Sequence, residues 1–360
     1  MCTAAAATAM ALVAAPSVHA QETGPPPPYS VVVGGLSNPY DVQGGPLGLL
    51  YVTEAGAGQV TAVLPPLQLH VPLVQNLGGI ASATVPWGQL PFVTGAPEPG
   101  TEAPPLPAGS PDPASLYLAN LFGPPQKVAD LTAYERANNP DGQLQEGPNG
   151  ELLDALSNPF RVLKRGYFED AYIADGGAND VLAVDFLGNV RTLFVPPTVN
   201  TGACAGLPNN SPETPGCDSV PTGLAFGPEG SLYVSAFTAG VPGEGRVYVI
   251  NPATGELENT ITGLDGPTGV AVGPDGAVYV TEVTYGAPEG EQPPPDAPPP
   301  GRIVKIDPDG GGRYAAAVPM PLGITFSDGT LYATAMSLAG PGAGQVVAVS
   351  PDGFEPIPAD

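Results

Sequence analysis

One stretch constrains the fold more than any other: Gly266-Pro267-Thr268-Gly269-Val270-Ala271-Val272-Gly273-Pro274-Asp275-Gly276-Ala277-Val278-Tyr279-Val280-Thr281-Glu282. It reads as a β-hairpin. Val270 and Val272 alternate with small residues, and Val278, Tyr279 and Val280 run back. Between them Pro274 pre-sets φ for a turn and Gly276 accepts a positive φ. The same phrase is written repeatedly along the chain. A proline opens a first strand at Pro39, Pro159, Pro221, Pro267 and Pro321. A tyrosine flanked by small or apolar residues marks a second strand at Tyr51, Tyr117, Tyr172, Tyr233, Tyr279 and Tyr332. An alternating third strand follows at 59–63, 180–184, 246–250, 302–306 and 345–349, then turn residues and a fourth strand such as 313–318. Six second strands, each one blade apart, predict an all-β fold: a six-bladed β-propeller of four-stranded antiparallel blades, whose repeats need about 40–50 residues each.

Spacing beyond that length is loop insertion. The stretches 95–113 and 287–300 are Pro-rich with little apolar content, so they cannot carry a core of their own. Residues 129–139 form the one helical pattern, with Asp130 near its start and Pro140 after it. A closed ring is preferred to a solenoid because closure removes sheet edges and no capping repeat is evident. Residues 29–33 look like a fourth strand without a blade. They are expected to close the ring on the final blade, with 354–357 competing for that edge.

Composition bounds the partners. Ten basic residues stand against 35 acidic ones, a net charge of −25. Such a surface repels a phosphate backbone and cannot assemble a polybasic membrane patch. Gly and Pro, 49 of each, fall mostly at regular turn positions, which an all-β chain requires. Residues 1–20 contain no charged side chain, carry a small-apolar run at 4–15, and end Val18-His19-Ala20, a small-x-small cleavage pattern without the usual basic n-region. The expected organisation is a signal peptide over 1–20, a Pro-rich leader over 21–28 and one propeller domain over 29–360, in a secreted or extracytoplasmic protein. No later stretch is long and apolar enough to span a bilayer. With the leader removed, Cys204 and Cys217 remain as an even pair in a Gly/Pro/Asn-rich loop, which predicts a disulfide. His70 is then the single histidine.

The hairpin phrase resembles the NHL and SMP-30/gluconolactonase-like group of six-bladed propellers. The segments 128–142 (Val-Ala-Asp-Leu through Asn-Pro-Asp-Gly), 157–160 (Ser-Asn-Pro-Phe) and 172–180 (Tyr-Ile-Ala-Asp-Gly-Gly-Ala-Asn-Asp) are similar to the ScyD/ScyE family of exported bacterial propellers. That resemblance implies a propeller and export, and no defined reaction. In SMP-30-like lactonases a divalent metal is held at the channel mouth by a Glu and by Asn and Asp residues after the strand-opening proline. The matching positions here are Tyr40, Phe160, Thr222, Thr268 and Leu322, none a carboxylate or amide, so the resemblance does not carry that metal over. These five are instead the candidate ligand-binding residues, an apolar mouth suited to an apolar or aromatic ligand. Zinc-dependent lyases, His-based triads and quinone propellers all need histidines or bases that this chain scarcely has.

One constellation of carboxylates remains. Three residues past the second-strand tyrosines stand Glu54, Asn120, Asp175, Ala236, Glu282 and Ala335. Two readings are open. In the first, Asp175, followed by Asn179, resembles the NHL pattern in which the Asp accepts backbone N–H groups of the following turn. Alternatively Glu54, Asp175 and Glu282 face the channel and bind Ca²⁺ or a cationic ligand. The expected function is a secreted binding or interaction module with its ligand at the axial mouth, and no cofactor beyond that Ca²⁺. Its partner is a small molecule or an extracellular protein, with no nucleic acid, and the chain is a monomer. The alternative is an extracytoplasmic SMP-30-like hydrolase or lactonase using an acidic metal site.

Overall fold

The structure, a computed structural model, describes residues 27–86, 88–96, 106, 108–120, 123–143, 156–209, 214–286 and 299–358. The proposed signal peptide, most of the Pro-rich leader and much of the two Pro-rich insertions lie outside these residues. Six four-stranded antiparallel units stand around one axis. Blade one is β2 (Pro39–Gly44), β3 (Leu50–Glu54), β4 (Gln59–Leu64) and β5 (Leu69–Val74). Blade two is β6 (Ile80–Ala83), β7 (Pro91–Thr94), β8 (Ser115–Leu118) and β9 (Gln126–Asp130), followed by helix α1 (Leu131–Asn138). Blade three holds β10 (Pro159–Leu163), β11 (Ala171–Asp175), β12 (Asp180–Val184) and β13 (Val190–Phe194). Blade four holds β14 (Pro221–Phe226), β15 (Leu232–Ala236), β16 (Gly245–Ile250) and β17 (Leu257–Leu264). Blade five holds β18 (Pro267–Val272), β19 (Val278–Glu282), β20 (Arg302–Ile306) and β21 (Arg313–Ala317). Blade six has β22 (Ile324–Ser327), β23 (Thr330–Ala335) and β24 (Gly344–Val349), and its outer strand is β1 (Tyr29–Leu36).

The ring closes as the sequence suggests. β1 pairs with β24 from Tyr29 opposite Val349 to Leu36 opposite Gly344, and it buries Val32, Val33 and Leu36 against Val42, Leu50 and Val346. The competing C-terminal strand, β25 (Glu355–Pro356), goes elsewhere: it pairs with Tyr314 and Ala315 on the edge of blade five. The six first strands contact one another in sequence, β2 to β6, β10, β14, β18, β22 and back to β2, so they form the inner wall. Between blades the core is aliphatic, with aromatic pairs such as Tyr279 edge-on to Phe326 at 5.2 Å across the junction of blades five and six.

Local chemistry follows the turn residues. In the 266–282 hairpin the Gly273 N–H donates to the Ala277 carbonyl at 2.8 Å, and Gly276 sits at φ 84°. Asp130 caps α1 by accepting from the Ala133 N–H at 2.9 Å, and Asn139 ends the helix in the left-handed region at φ 41°. Leu131 and Glu135, one turn apart, lie on the same helix face. That face packs Leu131 among Val162, Ile173 and Leu182 and carries Glu135 inward with it.

Blade two departs from the sequence reading. Tyr117 lies on β8, the third strand, and the second strand is β7 with Phe92 in the tyrosine's place. The two rings stack at 5.3 Å. Blade two opens on Ile80 without a proline, and the insertion after residue 94 falls inside the blade, so Leu116-Tyr117-Leu118 imitates a second strand. Asn120 is therefore no counterpart of Glu54. His70 lies on the exposed outer strand β5, opposite Val63 and far from the inner wall.

Candidate functional site

The proline-opened strands share a distortion that organises the axis. In blades one, three, four and five the register slips between the proline and the second residue after it, at Pro39/Asp41, Pro159/Arg161, Pro221/Gly223 and Pro267/Gly269. Blade two does the same between Ile80 and Ser82. Tyr40, Phe160, Thr222 and Thr268 are thus bulge residues, turned out of the regular alternation. Thr222 and Thr268 spend their hydroxyls as staples between blades, donating to the Pro267 carbonyl at 2.9 Å and the Pro321 carbonyl at 3.3 Å. Tyr40 and Leu322 are half-buried, and Phe160 is 37% exposed. These five positions mark the start of the inner strands.

The residue after each bulge does what the sequence did not reveal. In blades four to six it is glycine, and a Cβ there would strike a neighbouring strand: Gly269 would meet the Leu322 carbonyl oxygen, and Gly323 the Val42 nitrogen at 2.6 Å. In blades one to three the same position is Asp41, Ser82 and Arg161. Arg161 reaches across to form a buried ion pair with Asp41, its guanidinium arriving beside Gly269 of blade five. Ser82 donates to Asp41 at 2.5 Å and accepts the Val162 N–H at 3.1 Å, while Gln43 donates to Asp41 at 3.2 Å. Burial pulls the Arg161 guanidinium down to about 10, which leaves it charged at neutral pH. The pair closes the axis midway. The signal was present as a break in the Pro-x-Gly pattern at Pro39-Tyr40-Asp41 and Pro159-Phe160-Arg161.

Beyond that plug, at the finish of the inner strands, lies a bowl of about 540 Å³. Every blade contributes to it: Gln43 and Gly44, Thr84 and Val85, Lys164 and Arg165, Ala225 and Phe226, Ala271 and Val272, Thr325 and Phe326 stand on its wall. Among the described residues neither Asp nor Glu lines it. Among the described residues its charges are Lys164 and the half-exposed Arg165, whose guanidinium sits 3.9 Å above the Phe226 ring and whose Nε is 3.4 Å from Glu169, itself not on the lining. Burial lowers the Lys164 ammonium, opposed by Asp170 and Glu169.

Glu54, Asp175 and Glu282 sit buried at the ends of β3, β11 and β19, each opposite the proline of its own blade. Each clamps the loop that enters its blade. Glu54 accepts the Ser37 N–H at 2.8 Å together with Gln59 and Thr61. Asp175 accepts the Asn158 N–H at 2.6 Å, Ser157, and the turn amides of Gly177 and Ala178. Glu282 accepts the Asp265 N–H at 2.8 Å and Arg302 at 2.5 Å. Burial raises Asp175 to about 6 against these donors, and raises Glu282 against Arg302. The three are held separately by their own blades. Among the described residues no group of three or more His, Cys, Asp or Glu side chains is gathered to hold a metal. Cys204 and Cys217 form the expected disulfide, Cα to Cα 5.4 Å, on the loop between blades three and four.

No family model and no curated protein matches the chain. Solved structures do. The chain is similar to regucalcin from Agrobacterium tumefaciens, a calcium-binding protein, at 12% identity over 90% of this chain and 94% of that one, TM-score 0.53. It is similar to a Thermus thermophilus protein assigned as an oxidoreductase of the glucose dehydrogenase kind at 14% identity, covering 89% and 99%, TM-score 0.53. A gluconolactonase from Xanthomonas campestris aligns at 12% identity, covering 89% of each chain, TM-score 0.53. At such identities the likeness establishes the fold alone, a six-bladed β-propeller. Propellers of one shape host unrelated activities, so the site must argue the function. Among the described residues no helix is long and apolar enough to cross a membrane.

Proposed function

We propose that the protein is an exported binding module of the ScyD/ScyE type, whose axial bowl takes a small anionic ligand with an apolar or aromatic body. One observation carries this reading: a chain with 35 acidic and ten basic residues builds a bowl whose wall, among the described residues, has no acid and two bases. Field lines from Lys164 and Arg165 are concentrated in a concave, largely apolar setting, which favours an anion there while the acidic exterior repels it elsewhere. Phe226 and Phe326 offer stacking faces. The ligand end is thus the finish of the inner strands, across the Asp41–Arg161 plug from Tyr40 and Phe160. Export is supported by the charge-free start of the chain and by the disulfide, which persists in oxidising compartments.

The test is fluorescence titration with 8-anilinonaphthalene-1-sulfonate, an aromatic anion. Saturable binding that weakens about tenfold in Lys164→Gln/Arg165→Gln supports the reading. Equal binding by that double variant overturns it. The other class, a lactonase-type hydrolase, is separated by activity: lactone turnover that a chelator abolishes would favour it over a binding module.

A further inference from the structure

We propose that Glu135 and Asp180, with the side-chain carbonyl oxygen of Asn139, hold a hard divalent cation, Ca²⁺, that ties helix α1 to blade three. The site lies away from the axis and uses none of the three clamp carboxylates as a ligand. Glu135 is 1% exposed and Asp180 0%, and both oxygens of each carboxylate lack any hydrogen-bond partner among the described residues. The buried Asn139 Oδ1 lacks one too. Five buried oxygens without donors are an unusual concentration in a folded chain, where buried acceptors find partners. The acids around them are already engaged. Asp175 takes four donors, and Asp141 accepts from the Gln143 N–H at 3.0 Å and Asn179 at 3.4 Å. That division separates first ligands from background charge.

The field in this place calls for a cation. The charges bearing on Asp180 are those of Asp175, Glu135 and Asp141, and those bearing on Glu135 are Asp141 and Asp175. Asp175 and Asp180 stand directly opposite on β11 and β12, an arrangement of like charges that destabilises a strand pair unless something intervenes. The neighbouring base, Arg136, is exposed on another face of α1. Glu135 lies in the last turn of α1 and Asn139 caps its end, where the helix dipole favours positive charge. Two carboxylates and an amide oxygen, completed by water, are the all-oxygen set that Ca²⁺ accepts in flexible geometry. A cleft of about 440 Å³ lies nearby, lined by Asp141, Gln143, Asn179 and Asp218, of which Asn179 directly precedes Asp180 in the chain.

Calorimetric titration of CaCl₂ into the chelator-treated full chain, at fixed ionic strength, tests this. One saturable site per chain is expected, with a melting temperature that rises with Ca²⁺ up to about 5 mM, the range of weak extracellular sites. Asp180→Asn and Glu135→Gln should each weaken binding about tenfold or more. In chelator both variants should melt no lower than the parent, because each removes an uncompensated buried charge, and this shows that they fold. No saturable heat, or a Ca²⁺ response that survives in both variants, overturns the proposal.

Discussion

Ring closure by β1 yields the most quantitative expectation. Leu36 is 1% exposed and packs with Val33, Val42, Leu50 and Val346, so it belongs to the junction between blades six and one. Truncating a buried leucine to alanine costs about 2–5 kcal/mol from lost transfer energy and the cavity left behind. Leu36→Ala should sit near the middle, about 3 kcal/mol. Val31 lies on the same strand but is 45% exposed, and Val31→Ala should stay within about 0.5 kcal/mol. Deleting residues 29–36 removes Val32, Val33 and Leu36 together, each worth about 1.5–3 kcal/mol of burial. The sum, roughly 5–9 kcal/mol, is comparable with the whole stability of a typical domain, so the truncated chain should be unfolded or nearly so. Urea unfolding followed by circular dichroism gives the numbers, read as a shift in midpoint at constant slope. A Leu36→Ala loss below about 1 kcal/mol, or an unchanged midpoint after deletion, would refute closure by this strand.

Other consequences are as direct. Arg161→Met or Asp41→Leu alone should cost about 3–5 kcal/mol by stranding the partner's charge on the axis, whereas the double variant should recover most of the loss; a denaturation cycle measures the coupling. Replacing Cys204 and Cys217 by alanine opens a loop of sequence separation 13 and should cost about 3 kcal/mol, checked by unfolding with and without reductant. Asp175, raised to about 6 from an ordinary 3.8, binds its proton more tightly folded than unfolded. It therefore contributes about 3 kcal/mol that is present below about pH 4 and lost as pH rises through about 6. A pH series of melting curves should show that decline, and Asp175→Asn should flatten it.

The blades were legible because each repeat writes its own turn and strand chemistry within some fifty residues. Pro267, Gly276 and Tyr279 announce a hairpin wherever they stand, and Asp130 announces a helix. Blade two was less legible because Phe92 stands where the tyrosine is expected and Tyr117, on the third strand, imitates it. The axial plug was hidden for a different reason. Tyr40 and Phe160, the residues after the proline, are the conspicuous ones in sequence, but the bulge there turns them aside and presents Asp41 and Arg161 instead. A bulge leaves little trace in local pattern. The bowl and the Glu135–Asp180 pair were not legible at all, since both are made by side chains brought together over long sequence separations. Glu54 and Glu282 look like ligands in sequence; in the structure they accept the Ser37 and Asp265 amides of their own loops.

A crystal structure of the chain soaked with 8-anilinonaphthalene-1-sulfonate tests the central claim most directly. The sulfonate should lie within hydrogen-bonding reach of Lys164 Nζ or Arg165, and the rings against Phe226 or Phe326. A probe seated beside Tyr40 and Phe160 across the plug, or on the outer strands with the bowl left to solvent, contradicts it.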